Sequence, residues 1–515
     1  MSPRRLSAPL AAYAAVVAAL LAGCGGGGGG GSVDVGPAAA VPQNAALYLD
    51  ARVKPTGSAQ ANAKAALSKI LNTSDPGGEI VSLIEKQSKA DGHPINYQRD
   101  IAPWLGEKAG VFLNDLSGQT TEGTVVIEAT NPAAALAAVR KGTGTTATDP
   151  APQSYNGVPY QSDPTEPGNF FGTVGDFLVE GDLAGFKAAV DASKGDSLGD
   201  SSDFEDAVGD LPSDRLGTIY TVPKDLIAAV GSGQIDEQSQ SILEKSAGDS
   251  LNQPVAGAVT ASADTIELEA SGGSSGVETP QSSLIGEVPG QAWLAVGAAD
   301  LGGAVNRGLD QFKDIIPNFN GVVQQIETTT GASLDQLTGS LGDAVLYVQG
   351  TTESTLTGAL VVQSKDPDLT GRLLSQLQGL LQLGTGGIKP LHISGGGTGF
   401  QINDQTLAPR PVELAQQGDK VVIGYGAGSA EQSLAPAQKL SDSPVFSAAQ
   451  GKVSALGTDL FLDFPSVFRV AESSGAKSDP DYVRAKPYLN SLSYLVSGSG
   501  TENDKTEIKA ILGLR

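Results

Sequence analysis

Across 515 residues the chain has one cysteine, one methionine, two histidines and two tryptophans. A single cysteine excludes an intramolecular disulfide, a CxxC redox pair and a thiolate metal cage. The histidines, His93 and His392, sit beside no recognisable nucleophile, and no His-Glu-x-x-His pair exists, so neither a hydrolytic triad nor a zinc protease is expected. No metal or other cofactor is expected. Basic residues are scarce as well: 33 Lys and Arg stand against 57 Asp and Glu, a formal charge of −24. Such a chain repels nucleic acid and anionic headgroups, so no nucleic-acid partner is expected and a basic membrane-binding patch is excluded. The apolar stretch from Leu10 to Leu21 falls short of the roughly 20 residues that a spanning helix needs.

The first 23 residues instead read as an export signal, with Arg4 and Arg5 followed by an apolar run and small residues. Leu21-Ala22-Gly23-Cys24 resembles the bacterial lipobox. That resemblance implies cleavage before Cys24 and acylation of its thiol, with chains such as palmitate holding the protein to the membrane. Each buried methylene contributes roughly 0.8 kcal/mol, so two or three chains anchor permanently. Removing residues 1–23, with two arginines and no acid, takes the mature chain to −26. Seven glycines at 25–31 follow the cysteine, and residues 24–40 read as a flexible tether spanning on the order of 20–25 Å. The expected location is the extracytoplasmic face of the cell membrane.

The remaining chain is long for one core, and it repeats itself. VPQNAALYLDA (41–51) returns as VPGQAWLAVGA (288–298), and WLGEKAGVFL (104–113) as SLGDAVLYVQ (340–349). EGTVVIEATNPAAALAAV (122–139) parallels TGALVVQSKDPDLTGRLL (357–374), and VGDFLVEGDLAGF (174–186) parallels QGDKVVIGYGAGS (417–429). The order is kept throughout. Residues 41–270 and 288–515 are therefore expected to be two homologous α+β lobes, joined by a linker at 271–287. Short β-branched runs with tight turns between them imply antiparallel strands, at 45–51, 108–114, 123–129, 176–180, 216–222, 255–261 and 264–270. Helical spacing is clearest in Leu301, Val305, Leu309, Phe312 and Ile316. Each lobe is expected to be an antiparallel sheet with helices packed on one face.

The opening VPQNAALYLDA, then WLGEKAGVFL, then the strand–Asn-Pro–helix unit resemble a bacterial envelope family catalogued as domain-of-unknown-function family 3352. The resemblance implies an exported or membrane-anchored protein and brings no catalytic residues.

The remaining motifs have bland explanations beside functional ones. Gly272–Gly276 matches Gly-x-Ser-x-Gly, but a polar linker follows where a nucleophile elbow needs a helix. Asp366-Pro-Asp368 starts like a calcium loop, but Leu377 stands where a bidentate Glu is required, so a helix cap is expected. GTGTTA (142–147) and GYGAGS (424–429) echo phosphate loops without completing one. Trp104 and Trp293 are expected in cores, and Tyr482, Tyr488 and Tyr494 could edge a groove. These readings favour a non-enzymatic interaction or scaffold module. The alternatives are a binding lipoprotein for an apolar, lipid-like ligand and a hydrolase built on paired carboxylates.

Overall fold

Strand β1 (Leu47–Arg52) shows how the sheet is made. Its register sets Tyr48 opposite Phe112 on one side and Tyr220 on the other. Successive side chains point to opposite faces of a strand, so Tyr48 and Asp50 share one face while Leu49 and Ala51 share the other. The computed structural model describes residues 35–90, 92, 94–114, 123–234, 248–273, 281–313, 318–384, 387–404, 408–502 and 505–515. The export signal, Leu21-Ala22-Gly23-Cys24, the tether to residue 34, His93 and Ser274–Gly276 lie outside them.

The fold is mixed α+β, and the chain divides into two compact units between Ser275 and Gly276. In the first unit β1 is joined by β2 (Leu105–Leu113), β3 (Thr124–Ala129), β4 (Gln153–Tyr155), β5 (Val158–Ser162) and β6 (Asn169–Val174). The set is completed by β7 (Phe177–Asp182), β8 (Gly217–Thr221), β9 (Val255–Ala261) and β10 (Thr265–Gly273). Every neighbour is antiparallel, in the order β4-β5-β6-β7-β3-β2-β1-β8-β9-β10.

The second unit carries β11 (Ala292–Ala298), β12 (Leu341–Gln349), β13 (Thr357–Ser364), β14 (Ile388–Ile393) and β15 (Gly397–Ile402). After them come β16 (Val412–Gln417), β17 (Lys420–Tyr425), β18 (Leu460–Asp463), β19 (Leu492–Glu502) and β20 (Lys505–Leu514). Their order is β14-β15-β16-β17-β13-β12-β11-β18-β19-β20, the first unit's order with ten added to each label.

Small features recur with the strands. An isolated bridge joins Pro42 to Ser197, and another joins Pro289 to Lys439. Leu198 N–H donates to Val41 at 2.7 Å, and Leu440 N–H to Val288 at 2.8 Å. Phe204 meets Tyr220 edge-on at 5.0 Å, as Phe446 meets Phe461 at 5.1 Å. Each fully buried ring of this kind contributes roughly 1.5–3 kcal/mol.

The main core of the first unit lies on the Tyr48 face, where Phe112, Val126 and Val179 pack against Phe186, Ala189 and Val190 of the helix Leu183–Ala192. The opposite face is also covered. Ala109, Leu178 and Ile127 pack there against Ala134, Ala135, Ala138 and Val139 of the helix Pro132–Thr143. This corrects the expectation of helices on one face: the central strands are apolar on both sides, and both sides are buried. That helix starts where Asn131 accepts from Ala134 N–H at 3.1 Å and ends at Gly144 in the left-handed region.

Two boundaries also move. The tether reading reached residue 40, but Gly36–Ala40 forms a 3-10 turn with Pro37, Ala38 and Ala40 buried. It crosses the sheet at Gly110, where a Cβ would lie 2.9 Å from Pro37 and 3.1 Å from Tyr48. The linker reading, 271–287, loses both ends. β10 runs to Gly273, and Leu284 and Ile285 are buried in the second core.

The hairpin β4–β5 and strands β6, β15 and β16 were not read from the sequence as strands, whereas His392 was read into the strand that is β14. A signal for the first of them was present: Asn156-Gly157 has φ of 46° and 79°, the paired positive values of a tight hairpin turn. Among the described residues no helix is long and apolar enough to cross a membrane.

Candidate functional site

The singled-out residues do not converge. His392 is an exposed residue of β14 opposite Thr398. Trp104 is buried, its indole N–H donating to Asp100 O at 2.7 Å, while the Trp293 indole caps Gly350 O at 2.8 Å. Asp366 accepts from Leu369 N–H at 3.0 Å, the cap of the helix Pro367–Gly384. Tyr482 donates to Glu472 at 3.0 Å, in a surface cluster where Lys486 and this hydroxyl hold the Glu472 carboxyl below its usual range. Among the described residues no group of three His, Cys, Asp or Glu side chains is placed to hold a metal.

The turn at 424–429 does cradle an anion, but one from its own chain. Glu413 is buried and accepts from Gly428 N–H at 2.8 Å, Ala430 N–H at 2.9 Å and Ser429 Oγ at 3.3 Å. The resemblance to a phosphate loop is thereby accounted for.

Carboxylates gather near Glu180 of β7, from the β5–β6 connection. Glu180 is pushed up to about 7, first by burial and then by the charges of Asp163 and Glu166. Asn169 Nδ2 donates to it at 3.0 Å. Asp163, itself buried, accepts from Thr165 N–H and Oγ at 2.7 and 2.6 Å. On the other face Asp50 is raised by burial, and Lys108, Thr218 and Tyr48 pull against that rise. Both carboxyls are part-buried among packed strands.

The open site lies in the second unit, a cavity of about 720 Å³ at one end of β11, β12, β13 and β18. The register places Ala292, Gln349 and Thr357 side by side there. Gln349 Nε2 donates to Thr357 Oγ at 3.1 Å and to Gln432 Oε1. Arg410 comes from the β15–β16 connection; its guanidinium lies 5.8 Å from the Tyr425 ring centre and donates to Leu356 O. Arg469, on the helix Phe464–Ser473, donates to Ser466 Oγ at 2.6 Å, and Ser466 donates onward to Asp463. Neither arginine was singled out in the sequence, because the residues that meet here come from separate segments with no common motif.

One face of the same unit's sheet carries a half-exposed apolar row. Val296 pairs with Leu346, Leu346 with Leu360, and Leu360 with Ile423, a continuous apolar row across four strands. Val296, Leu346 and Ile423 are 37%, 46% and 47% exposed.

No curated protein matches the chain. One solved structure, titled "Structure of crystal form I of TP0453", aligns over 78% of this chain and 98% of its own at 10% identity, with a TM-score of 0.17. The family model described as "Protein of unknown function (DUF3352)" matches residues 10–514. The chain belongs to the DUF3352 family.

Proposed function

We propose that the protein is a lipoprotein held at the extracytoplasmic face through acylated Cys24, and that its two lobes are tandem copies of one fold serving as a non-enzymatic docking module. The shared strand order, the paired bridges and the paired aromatic contacts support the duplication. The observation that carries the docking reading is the half-exposed Val296–Leu346–Leu360–Ile423 row. Scattered apolar side chains are ordinary on a surface, but a contiguous apolar strip marks an interaction face. An enclosed apolar ligand is less favoured, because the cavity is lined mainly by amides, hydroxyls and charges.

Two experiments test this. Cys24→Ala should move the protein from the membrane fraction to the soluble fraction; unchanged fractionation would overturn the anchor. A photo-crosslinking residue at position 346 should give a discrete protein adduct in cells, and one at exposed Glu205 should not. Equal labelling from both, or none from 346, counts against docking.

A further inference from the structure

We infer that the cavity at the end of β11, β12, β13 and β18 binds a small soluble ligand carrying an oxyanion on a hydroxylated, sugar-like body. This goes beyond the docking reading and stands independently of it. The chain carries 24 excess negative charges, and of its described arginines Arg99 and Arg484 form ion pairs. Arg410 and Arg469 line this cavity, yet neither forms an ion pair among the described residues.

Arg410 is held in place by the Leu356 carbonyl and the Tyr425 ring, which orient a guanidinium without neutralising it. Arg469 is tied through Ser466 to Asp463, the one carboxylate in the lining, so the site remains net positive. A planar guanidinium with free N–H groups suits a carboxylate or phosphate.

The cavity is far larger than a bare anion. Its volume lies within the roughly 300–1,000 Å³ range of small-molecule sites. Three glutamines and five Ser or Thr residues line it, against three apolar side chains, Ala292, Val445 and Phe461. Among the described residues, no hydrogen bond engages Oε1 of Gln349 or Nε2 of Gln432, so an acceptor and a donor remain for ligand hydroxyls.

Calorimetry on detergent-solubilised full-length protein tests the assignment, with glucuronate, glucose 6-phosphate, glucose and inorganic phosphate as probes. At least one of the two anionic sugars should bind with Kd below about 1 mM, and at least about tenfold more tightly than either glucose or phosphate. Arg410→Gln should weaken that binding about tenfold or more. Arg469→Gln, at an exposed position, should weaken it too and serves as the test should the first variant unfold. Arg484→Gln, away from the cavity, should leave it unchanged. Glucose or phosphate binding as tightly as the sugar anions would overturn the proposal, as would silence from all four probes. Full binding by folded R410Q and R469Q would also overturn it. Binding confined to phosphatidylinositol vesicles would overturn the soluble ligand.

Discussion

The two units finish the same row of their sheets in opposite ways. In the first, Leu49, Val111 and Val125 lead across the strands to Glu180. In the second, Val296, Leu346 and Leu360 lead to Ile423. The acid is part-buried and pushed up to about 7, while the isoleucine is 47% exposed. This reverses what side-chain polarity alone would set, since carboxylates are rarely buried unpaired. Of the fourteen large apolar side chains exposed among the described residues, twelve belong to the second unit. A shared strand order therefore fixes where rows run and leaves open what covers them. In the first unit Asn169, Asp163 and Glu166 gather about the row's end; in the second it is left for something else.

The comparison can be broken first at its common scaffold. Phe204→Ala and Phe446→Ala remove corresponding buried rings, and each should cost about 3–5 kcal/mol in urea unfolding. A large loss at one position with none at the other would show that the two cores are not built alike.

Next comes the buried acid. Glu180 has a folded-state value near 7 against an ordinary 4.5, so folding favours its protonated form. Below pH 4.5 it is protonated whether folded or unfolded and carries no penalty. Between 4.5 and 7 the unfolded chain binds fewer protons, so stability falls as pH rises, by roughly 3 kcal/mol in all. Glu180→Gln should therefore be more stable than wild type at pH 8, with the gap closing at pH 4. A gap that persists unchanged at pH 4 would refute the titration account.

Helix caps give a smaller, matched effect. Asn131→Ala and Asp366→Ala should each cost about 1 kcal/mol. Unequal losses, measured by thermal melting, would separate the two helix starts. Least of all, Ile423→Gln should change stability by under about 0.5 kcal/mol, since its side chain is half in water already. The same change should reduce crosslinking from position 346, which sharpens the contrast between a structural row and a docking row.

Much of the skeleton was legible in the sequence. The strand–Asn-Pro–helix unit read at 122–139 has its helix at Pro132–Thr143, and the strand read at 255–261 has those limits. Both follow from local rules, an Asn-Pro cap and a short β-branched run closed by a tight turn. Strands β4 to β6 escaped because they lie among Pro, Gly and Ser, where β-propensity is weak and the Asn156-Gly157 turn was the better guide. The second covered face escaped for another reason. Ile127 and Val126 are equally apolar, and alternation cannot show which side a helix will close when both are. The cavity was invisible because its arginines gain meaning only from the Tyr425 ring and the Leu356 carbonyl beside one of them, and from the amide and hydroxyl lining drawn from separate segments. The reading of Asp366 as a cap needed only the four residues around it, and the structure has it.

The crossing of Gly36–Ala40 over Gly110 has a mechanical consequence. Tension on the chain ahead of residue 35 would reach a plug seated in the first core rather than a loose end. The plug is clamped where Leu198 N–H holds Val41 and the backbone bridges Pro42 to Ser197. A pull along the plug would load those contacts together, as shear, whereas a pull across it would part them one at a time. The first unit would then resist force according to its direction, and the angle at which the chain leaves Val35 would set its yield point.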